Sequence, residues 1–384
     1  MIKTKTVTNT LAFTGIVLMG VGSTAYATNG DQMLGVTATQ WGMAGAIVAA
    51  PQDAGTVLTN PAGLAGLDIE EVRFDTGFGF LNPNREANGN ESDSKLYLIP
   101  SGAVAVRVSD RVVFGMGMAG LSGMGVDFDD TTPMPGNQAV VTNKQFLKIA
   151  PGLSYRVSDR LAVGAALNID YQSLAMYTPQ FQLPQNQVYG YGAGFGLTYA
   201  LSDQLTLGAS YITRQQMDAF KWNTLSGRFE MTMDAPAQAA VGAAWRPGDD
   251  WLVEFDVKHI AFSDVLDEVT LHTPTGSQPL TFGWSDQTVF ALGVQRRLSP
   301  RATVRAGLNY GESPIGSEDV TSNIGSLAVT EWHGSLGFTR AFTDRLSGSF
   351  SYAHAFENEV RSNTSPATIQ LDQNIINLQL SYKN

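Results

Sequence analysis

The fold of this chain is decided by residues 251–258, which read WLVEFDVK. The odd positions of this stretch are all apolar, whereas three of the four even positions are charged, namely Glu254, Asp256 and Lys258. Successive side chains of a β-strand point to opposite faces. One face of this strand can therefore contact lipid while the other carries charge into a polar interior.

The same alternation recurs along the chain in segments that are about ten residues long, with tyrosines near many segment ends. A soluble β-sandwich would also alternate, but its strands are usually about five or six residues long. Long alternating strands with aromatic residues near their ends are typical of a transmembrane β-barrel. The clearest further segments are 161–172, 191–199, 303–310 and 376–382.

Six short turn signals lie between these segments, 44 to about 50 residues apart. Each interval holds two strands and one longer loop, which is the rhythm of a barrel with short turns at one end. With one strand before the first turn region, about 72–80, and one after the last, about 368–382, the count is fourteen. We therefore predict an all-β fold, a fourteen-stranded antiparallel transmembrane barrel. The turn signals are Asp110, Asp159, Asp203, Asp249 with Asp250, Pro300 and Asp344.

The chain begins with the features of an exported protein. Lys3 and Lys5 precede an apolar run and an Ala-Tyr-Ala sequence, which predicts a signal peptide over residues 1–27. The absence of cysteine excludes disulfides and thiolate metal sites. A formal net charge of −11 argues against nucleic acid as a partner.

Residues 28–71 do not alternate and are rich in glycine and alanine, which allow the backbone to pack closely. A compact segment of this length beside a barrel can lie in the lumen as a plug, so we predict an N-terminal hatch here and the barrel over residues 72–384. The motif residues of the hatch are Gly42, Gly45, Asp53, Ala54, Asn60, Pro61 and Ala62.

The Asp53-Ala54 pair and the Asn60-Pro61-Ala62 tripeptide follow the predicted end of the signal peptide, residue 27, within about 35 residues. With these motifs at this position, the chain resembles the FadL family of outer-membrane transporters. The resemblance implies passive uptake of hydrophobic small molecules, long-chain fatty acids first, with aromatic or alkane hydrocarbons as the alternative. It also implies a Gram-negative outer membrane, contact with its lipid and lipopolysaccharide, and a monomeric barrel without a cofactor.

Apolar residues on two predicted outer loops could form a capture groove, which the family places in this region. They are Met176, Phe181, Phe220 and Trp222. Exposed apolar groups of this kind often mark a binding surface. The alternative is that these residues pack against one another or lie in the lipid interface.

The third strand carries Gly115, Gly117 and Gly120, and glycine in a strand often marks a bulge or kink. In the family, an inward kink of the third strand opens a lateral hole through which substrate leaves into the membrane. The alternative, compatible with the first, is that these glycines accommodate a closely packed hatch.

The cations that face the lumen by strand parity include Lys148, Lys258 and Arg305. A fatty-acid carboxylate is costly to bury without a partner. Arg305, near the middle of the barrel, is the first candidate for that partner. The alternative is a structural pair between Arg305 and Glu254 or Asp256.

Two other functions compete with transport of hydrophobic compounds. An outer-membrane enzyme would need a catalytic constellation, but the four histidines belong to no H-E-x-x-H pattern and no G-x-S-x-G pattern is present. A general porin for small polar solutes would need an open lumen, which a hatch would obstruct. We therefore expect neither catalytic residues nor a metal site.

Overall fold

The computed structural model describes residues 29–128 and 139–384, so the predicted signal peptide lies outside the described residues. Fourteen strands form one closed antiparallel barrel, which confirms the predicted fold class. Every strand pairs with its neighbours in the chain, and β1 closes the barrel on β14. The strands are β1 Val72–Ala87, β2 Tyr97–Arg107, β3 Val112–Phe128, β4 Val140–Arg156, β5 Leu161–Tyr177, β6 Gln182–Ala200, β7 Leu205–Ile212, β8 Gln238–Trp245, β9 Trp251–Ile260, β10 Gln287–Ser299, β11 Ala302–Gly311, β12 Trp332–Ala341, β13 Leu346–Arg361 and β14 Thr368–Lys383.

The six predicted turn signals all lie in connections between strands, from Asp110 between β2 and β3 to Asp344 between β12 and β13. Large apolar side chains such as Phe78 and Leu378 face outward and are exposed, as a lipid-facing band requires. No helix among the residues that the structure describes is long and apolar enough to cross a membrane.

The longer loops at the opposite, outer end fold over the barrel mouth. Two of them build a four-stranded sheet, called the outer sheet, from Phe220–Thr224, Gly227–Met231, Glu268–Thr273 and Gly276–Thr281. The outer sheet and its neighbouring loops enclose a large apolar cluster. The remaining elements at this end are the strands Asn90–Glu91 and Gln216–Met217, the helix Ser263–Leu266 and the 3-10 helix Thr321–Asn323.

Residues 29–71, called the N-terminal segment, lie inside the barrel. They contain a short helix, Ala38–Gly42, and two 3-10 helices, Ala54–Leu58 and Pro61–Gly66. Glycines of the wall make room for them: a Cβ at Gly164 would lie 2.3 Å from the Ala62 nitrogen. A Cβ at Gly208 would lie 2.4 Å from the Val48 oxygen.

Candidate functional site

Two carboxylates of β9 hold the middle of the N-terminal segment. Asp256 Oδ2 accepts hydrogen bonds from the backbone nitrogens of residues 47 and 48, at 2.6 and 2.9 Å. Glu254 Oε1 accepts those of residues 49 and 50, at 2.6 and 3.0 Å. Both side chains are buried. Because buried backbone donors are costly to leave unpaired, these four bonds fix the segment to the wall.

The predicted hatch motif caps the two 3-10 helices. Asp53 caps the first 3-10 helix and accepts a hydrogen bond from Thr37 Oγ1 at 2.5 Å. Burial raises the pKa of Asp53, and the nearby Asp75 carboxylate raises it further. Asn60 begins the second and donates to the Val48 oxygen at 2.7 Å. Gly45 has φ = +82°, and a Cβ there would lie 2.5 Å from the Leu34 oxygen. The motif residues therefore have capping and packing roles.

The first described residues are held differently. Residues 31–33, called the latch, form a short antiparallel bridge with residues 121–123 of β3. The Met33 nitrogen donates to the Leu121 oxygen at 2.9 Å, and the Gly123 nitrogen donates to the Asp31 oxygen at 3.2 Å. Asp31 Oδ2 also pairs with Lys144 Nζ at 2.6 Å and accepts from Ser122 Oγ at 2.6 Å.

The latch lies on a strand edge that β2 leaves open. The β2–β3 ladder ends at the pair Ser101 and Ala119, although β3 continues to Phe128 in pairing with β4. Within the described residues, β3 has no ladder with β2 over residues 120–126. We call this stretch of β3 the β2–β3 gap. An unpaired strand edge facing lipid would leave backbone groups unsatisfied. The latch supplies part of the missing pairing from inside.

The irregularity of β3 lies one residue beyond the predicted glycines. The register shifts between Gly120 and Ser122, which places a bulge at Leu121. At Gly115 and Gly117 the pairing with β4 stays regular, whereas the register shift begins at Gly120, so a kink at these glycines stays a prediction. A Cβ at Gly115 or Gly117 would lie under 3 Å from Leu64, Val57 or Leu58 side-chain atoms, so these two glycines accommodate the N-terminal segment.

A cavity of about 1070 Å³ lies between the latch region and the outer loops. Its walls are mainly apolar, and Lys144 is the one charged residue among the described residues that line it. The Lys144 ammonium is already paired with Asp31, so the cavity offers an apolar interior with a neutralised ion pair at its edge. The apolar lining residues include Met124, Leu174, Met176, Phe181, Met233, Leu266, Leu280, Phe282, Trp284 and Ile324.

The four predicted capture residues separate into two pairs. Met176, at the end of β5, and Phe181 line the cavity. Phe220 and Trp222 are 0% and 3% exposed, stack on each other and belong to the apolar cluster under the outer loops. This second pair is therefore not exposed, and its two rings pack against each other, as the alternative interpretation of the sequence had it, because their loop folds into the outer sheet and buries one face of it.

The structure brings Lys148 and Lys258 to one small internal space of about 50 Å³, called the chamber. It lies beside residues 32–36 of the N-terminal segment and is also lined by the amide side chains of Gln215 and Gln238. A space of this size can hold a few waters or a small polar group. Each of the two lysines also has a carboxylate nearby, Asp170 for Lys148 and Asp256 for Lys258.

Arg305 lies away from both spaces. Its Nε donates to Gln52 Oε1 at 3.0 Å and its Nη1 donates to Thr339 Oγ1 at 2.7 Å. Glu254 and Asp256 bind the backbone of the N-terminal segment instead of Arg305, so the expected structural pair is not formed. Arg305 therefore supports the N-terminal segment, and the chamber lysines are better placed for a ligand.

Sequence reasoning missed Lys144, although the parity that selected Lys148 selects it too. The side chains at 144, 146 and 148 all face inward from β4, and they are lysine, phenylalanine and lysine. The pairing of Lys144 with Asp31 could not be predicted, because the N-terminal segment has no strand or helix periodicity around Asp31.

Comparison with known proteins supplies the family. A family model described as outer membrane protein transport protein (OMPP1/FadL/TodX) matches residues 19–383. Comparison with curated proteins gives no match.

Solved structures show the same fold. The Pseudomonas putida toluene transporter TodX is 18% identical, with 91% of this chain and 99% of that chain covered and a TM-score of 0.76. The Ralstonia pickettii toluene transporter TbuX is 18% identical, with 91% and 98% covered and a TM-score of 0.74. A Pseudomonas aeruginosa FadL homologue is 15% identical, with 92% and 99% covered and a TM-score of 0.77. Because the family model matches nearly the whole chain, this protein belongs to the OMPP1/FadL/TodX family of outer membrane transport proteins.

Proposed function

We propose that this protein mediates passive uptake of hydrophobic compounds, long-chain fatty acids first, by capture at the outer loops, binding in the lumen and lateral exit through the barrel wall. The observation that carries the proposal is the position of the cavity. An apolar space of about 1070 Å³ lies directly above a latch that covers an unpaired edge in the wall.

The cavity supplies the driving force for binding. Apolar surface removed from water contributes roughly 25 cal/mol per Å². Ligand pockets usually measure about 300–1,000 Å³, so the cavity has room for a long acyl chain or for several small aromatic rings. Met176 and Phe181 lie at its outer side, where a compound from outside would first contact it.

The chamber supplies a place for an acidic head group. A carboxylate in the chamber would contact the ammonium groups of Lys148 and Lys258, which lowers the cost of burying its charge. The inward side of β4 leads from the cavity at Lys144 past Phe146 to Lys148. With about 3.3 Å of rise per residue, the two lysines are about 13 Å apart along the strand.

Exit uses the β2–β3 gap. Departure of the latch from residues 121–123 would connect the chamber to the gap, because the chamber is lined by Gln32 and Met33. The ligand then enters the membrane sideways and avoids the water of the periplasm. The rest of the N-terminal segment stays in place, held by Glu254 and Asp256.

A second candidate substrate class is the aromatic hydrocarbons. Lys144, the charged residue among the described residues that line the cavity, is neutralised by Asp31, so this lining suits an uncharged ligand. Two similar structures, TodX and TbuX, are named as toluene transporters. Such a ligand would use the cavity and the gap without the chamber lysines.

The test is uptake of radiolabelled oleate and toluene by cells that lack the gene, complemented with the wild type or with Lys148→Met/Lys258→Met. Lys221→Met, an exposed lysine of the outer sheet, is the matched control. We expect the deletion to abolish oleate uptake and the double variant to reduce it at least about tenfold, since hydrogen bonds to charged groups contribute about 1.5–3 kcal/mol.

Loss of toluene uptake alone, with the double variant unimpaired, would establish the hydrocarbon alternative. If deletion changed the uptake of neither compound, the proposal would be wrong.

A further inference from the structure

The guanidinium of Arg85 is fully buried and only partly bonded. Arg85 is 1% exposed on the lumen side of β1. Its Nη1 donates to the Tyr97 hydroxyl at 3.3 Å, and its guanidinium carbon lies 5.5 Å from the Tyr97 ring centroid. Its Nε and Nη2 have no partner among the described residues. A buried cation without an anion costs several kcal/mol, so this arrangement needs an explanation.

The two unpartnered nitrogens form the edge with which arginine binds a carboxylate side-on. The same chain shows that edge in use: Arg73 donates from Nε and Nη2 to the two carboxylate oxygens of Asp75, at 2.8 and 3.0 Å. In Arg85 the corresponding edge has no partner within residues 29–128 and 139–384, while the third nitrogen donates to Tyr97. Bidentate pairing of this kind is stronger and more specific than a single bond.

Arg85 lies at the margin of the β2–β3 gap. Its carbonyl oxygen accepts from the Ser92 nitrogen at 2.8 Å, and Ser92 Oγ accepts from the Asp127 nitrogen at 2.9 Å, where the gap ends. Tyr97 is the first residue of β2 and packs in one apolar cluster with Met33 of the latch. Movement of the latch would therefore uncover the surroundings of Arg85.

The latch neutralises only one of the two cations beside the gap. Lys144 on β4 and Arg85 on β1 lie on opposite sides of the gap, and Asp31 of the latch pairs with Lys144 alone. When the latch leaves it removes that carboxylate, so two cations then flank the opening. An anion that enters the gap is the group that would neutralise them.

From this geometry we propose that Arg85 is an anion-binding residue of the lateral exit, where its Nε–Nη2 edge takes the carboxylate of a single-chain amphiphile. This proposal rests on the proposed function and refines it: the exit, and not only the lumen, selects acidic amphiphiles over neutral ones of the same length.

The test compares binding of radiolabelled laurate and 1-dodecanol, which have the same chain length and differ in the head group. Wild type, Arg85→Met and Arg85→Lys are purified in a non-ionic detergent, and the ratio of the two affinities is measured at pH 7.5. Arg228→Met, which changes an exposed arginine of the outer sheet, is the control. The ratio cancels any general effect of the detergent or of a small loss of folding.

We expect the wild type to bind laurate more tightly than dodecanol and Arg85→Met to reduce that preference at least about tenfold, with dodecanol affinity unchanged. Arg85→Lys should keep part of the preference for laurate, because lysine retains the positive charge but cannot form the two parallel hydrogen bonds of a guanidinium. An unchanged ratio in Arg85→Met, or an equal loss of both ligands, would overturn the assignment of Arg85. Binding of neither ligand by the wild type would overturn the proposed function and this inference with it.

Discussion

Two parts of the N-terminal segment are attached to the same barrel in contrasting ways. From residue 47 onward, buried carboxylates of the wall accept consecutive backbone N–H groups, and wall glycines let the segment approach within van der Waals contact. Residues 31–33 are attached by one ion pair, the hydroxyl of Ser122 and a short bridge to a strand edge that β2 leaves open. The comparison indicates a segment with a fixed body and a releasable tip.

The change with the largest expected effect is Lys144→Met, which acts on the tip. It leaves the Asp31 carboxylate buried without its cation, a loss that costs about 3–5 kcal/mol at comparable sites. Because Glu254 and Asp256 still hold residues 47–50, we expect release of the latch and not unfolding of the barrel.

A thiol at position 33 would report this release, since the chain has no cysteine of its own. In a Met33→Cys background, Lys144→Met should speed maleimide labelling by at least about a hundredfold, as every 1.4 kcal/mol is roughly tenfold. Adding Asp31→Asn should restore slow labelling in part, because it removes the orphaned charge. Equal labelling with and without Lys144 would show that the ion pair does not hold the latch.

The next change acts on the body. A Cβ at Gly196 of β6 would lie 1.9 Å from Asn60 Oδ1, whereas one at Gly194 of the same strand meets nothing closer than 3.9 Å. Gly196→Ala should therefore destabilise the protein by about 1–3 kcal/mol through overpacking, and Gly194→Ala should not. The measurement is the unfolding midpoint from heat-dependent mobility on gels. Equal midpoints for the two variants would mean that the body packs less tightly on β6 than the structure shows.

The smallest expected effect comes from Ser122→Ala, which removes a single hydroxyl donor from Asp31. The loss of one hydrogen bond to a charged group corresponds to about 1.5 kcal/mol, so labelling at residue 33 should rise about tenfold. The global unfolding midpoint should stay where it is, because the ion pair with Lys144 remains. A rise in the labelling rate as large as that caused by Lys144→Met would show that the Ser122 hydroxyl, and not the ion pair, holds the latch.

Much of the architecture could be predicted because a membrane imposes strict rules on strands. Lipid on one side and a polar lumen on the other enforce the period-two pattern of residues 251–258, and short turns such as Asp110 separate the strands. Parity also identified Lys148 and Lys258, which the structure brings to one chamber. These are local properties of the chain, so they can be read from neighbouring residues.

The errors concern contacts between distant parts of the chain. Phe220 and Trp222 are buried because their loop pairs with residues 268–281. No local sequence pattern predicted this pairing. Arg305 bonds to Gln52, some 250 residues away, and Lys144 bonds to Asp31, 113 residues away. The latch contacts β3 at the β-bulge, and no pattern in the sequence of β3 indicated that contact.

The central claim is that ligands pass the β2–β3 gap only after the latch leaves it. Gln32 and Ser122 are opposite each other in the antiparallel bridge, where Cα atoms are about 4.5–5.5 Å apart, within the range of a disulfide. The pair Gln32→Cys/Ser122→Cys should therefore lock the latch when oxidised, and Ser347→Cys/Ser381→Cys, on the facing strands β13 and β14, is the control. Uptake of whichever of oleate and toluene the wild type imports should stop in the oxidised latch variant, return on reduction and be unaffected in the control. Import at the wild-type rate by the fully oxidised latch variant would contradict the account.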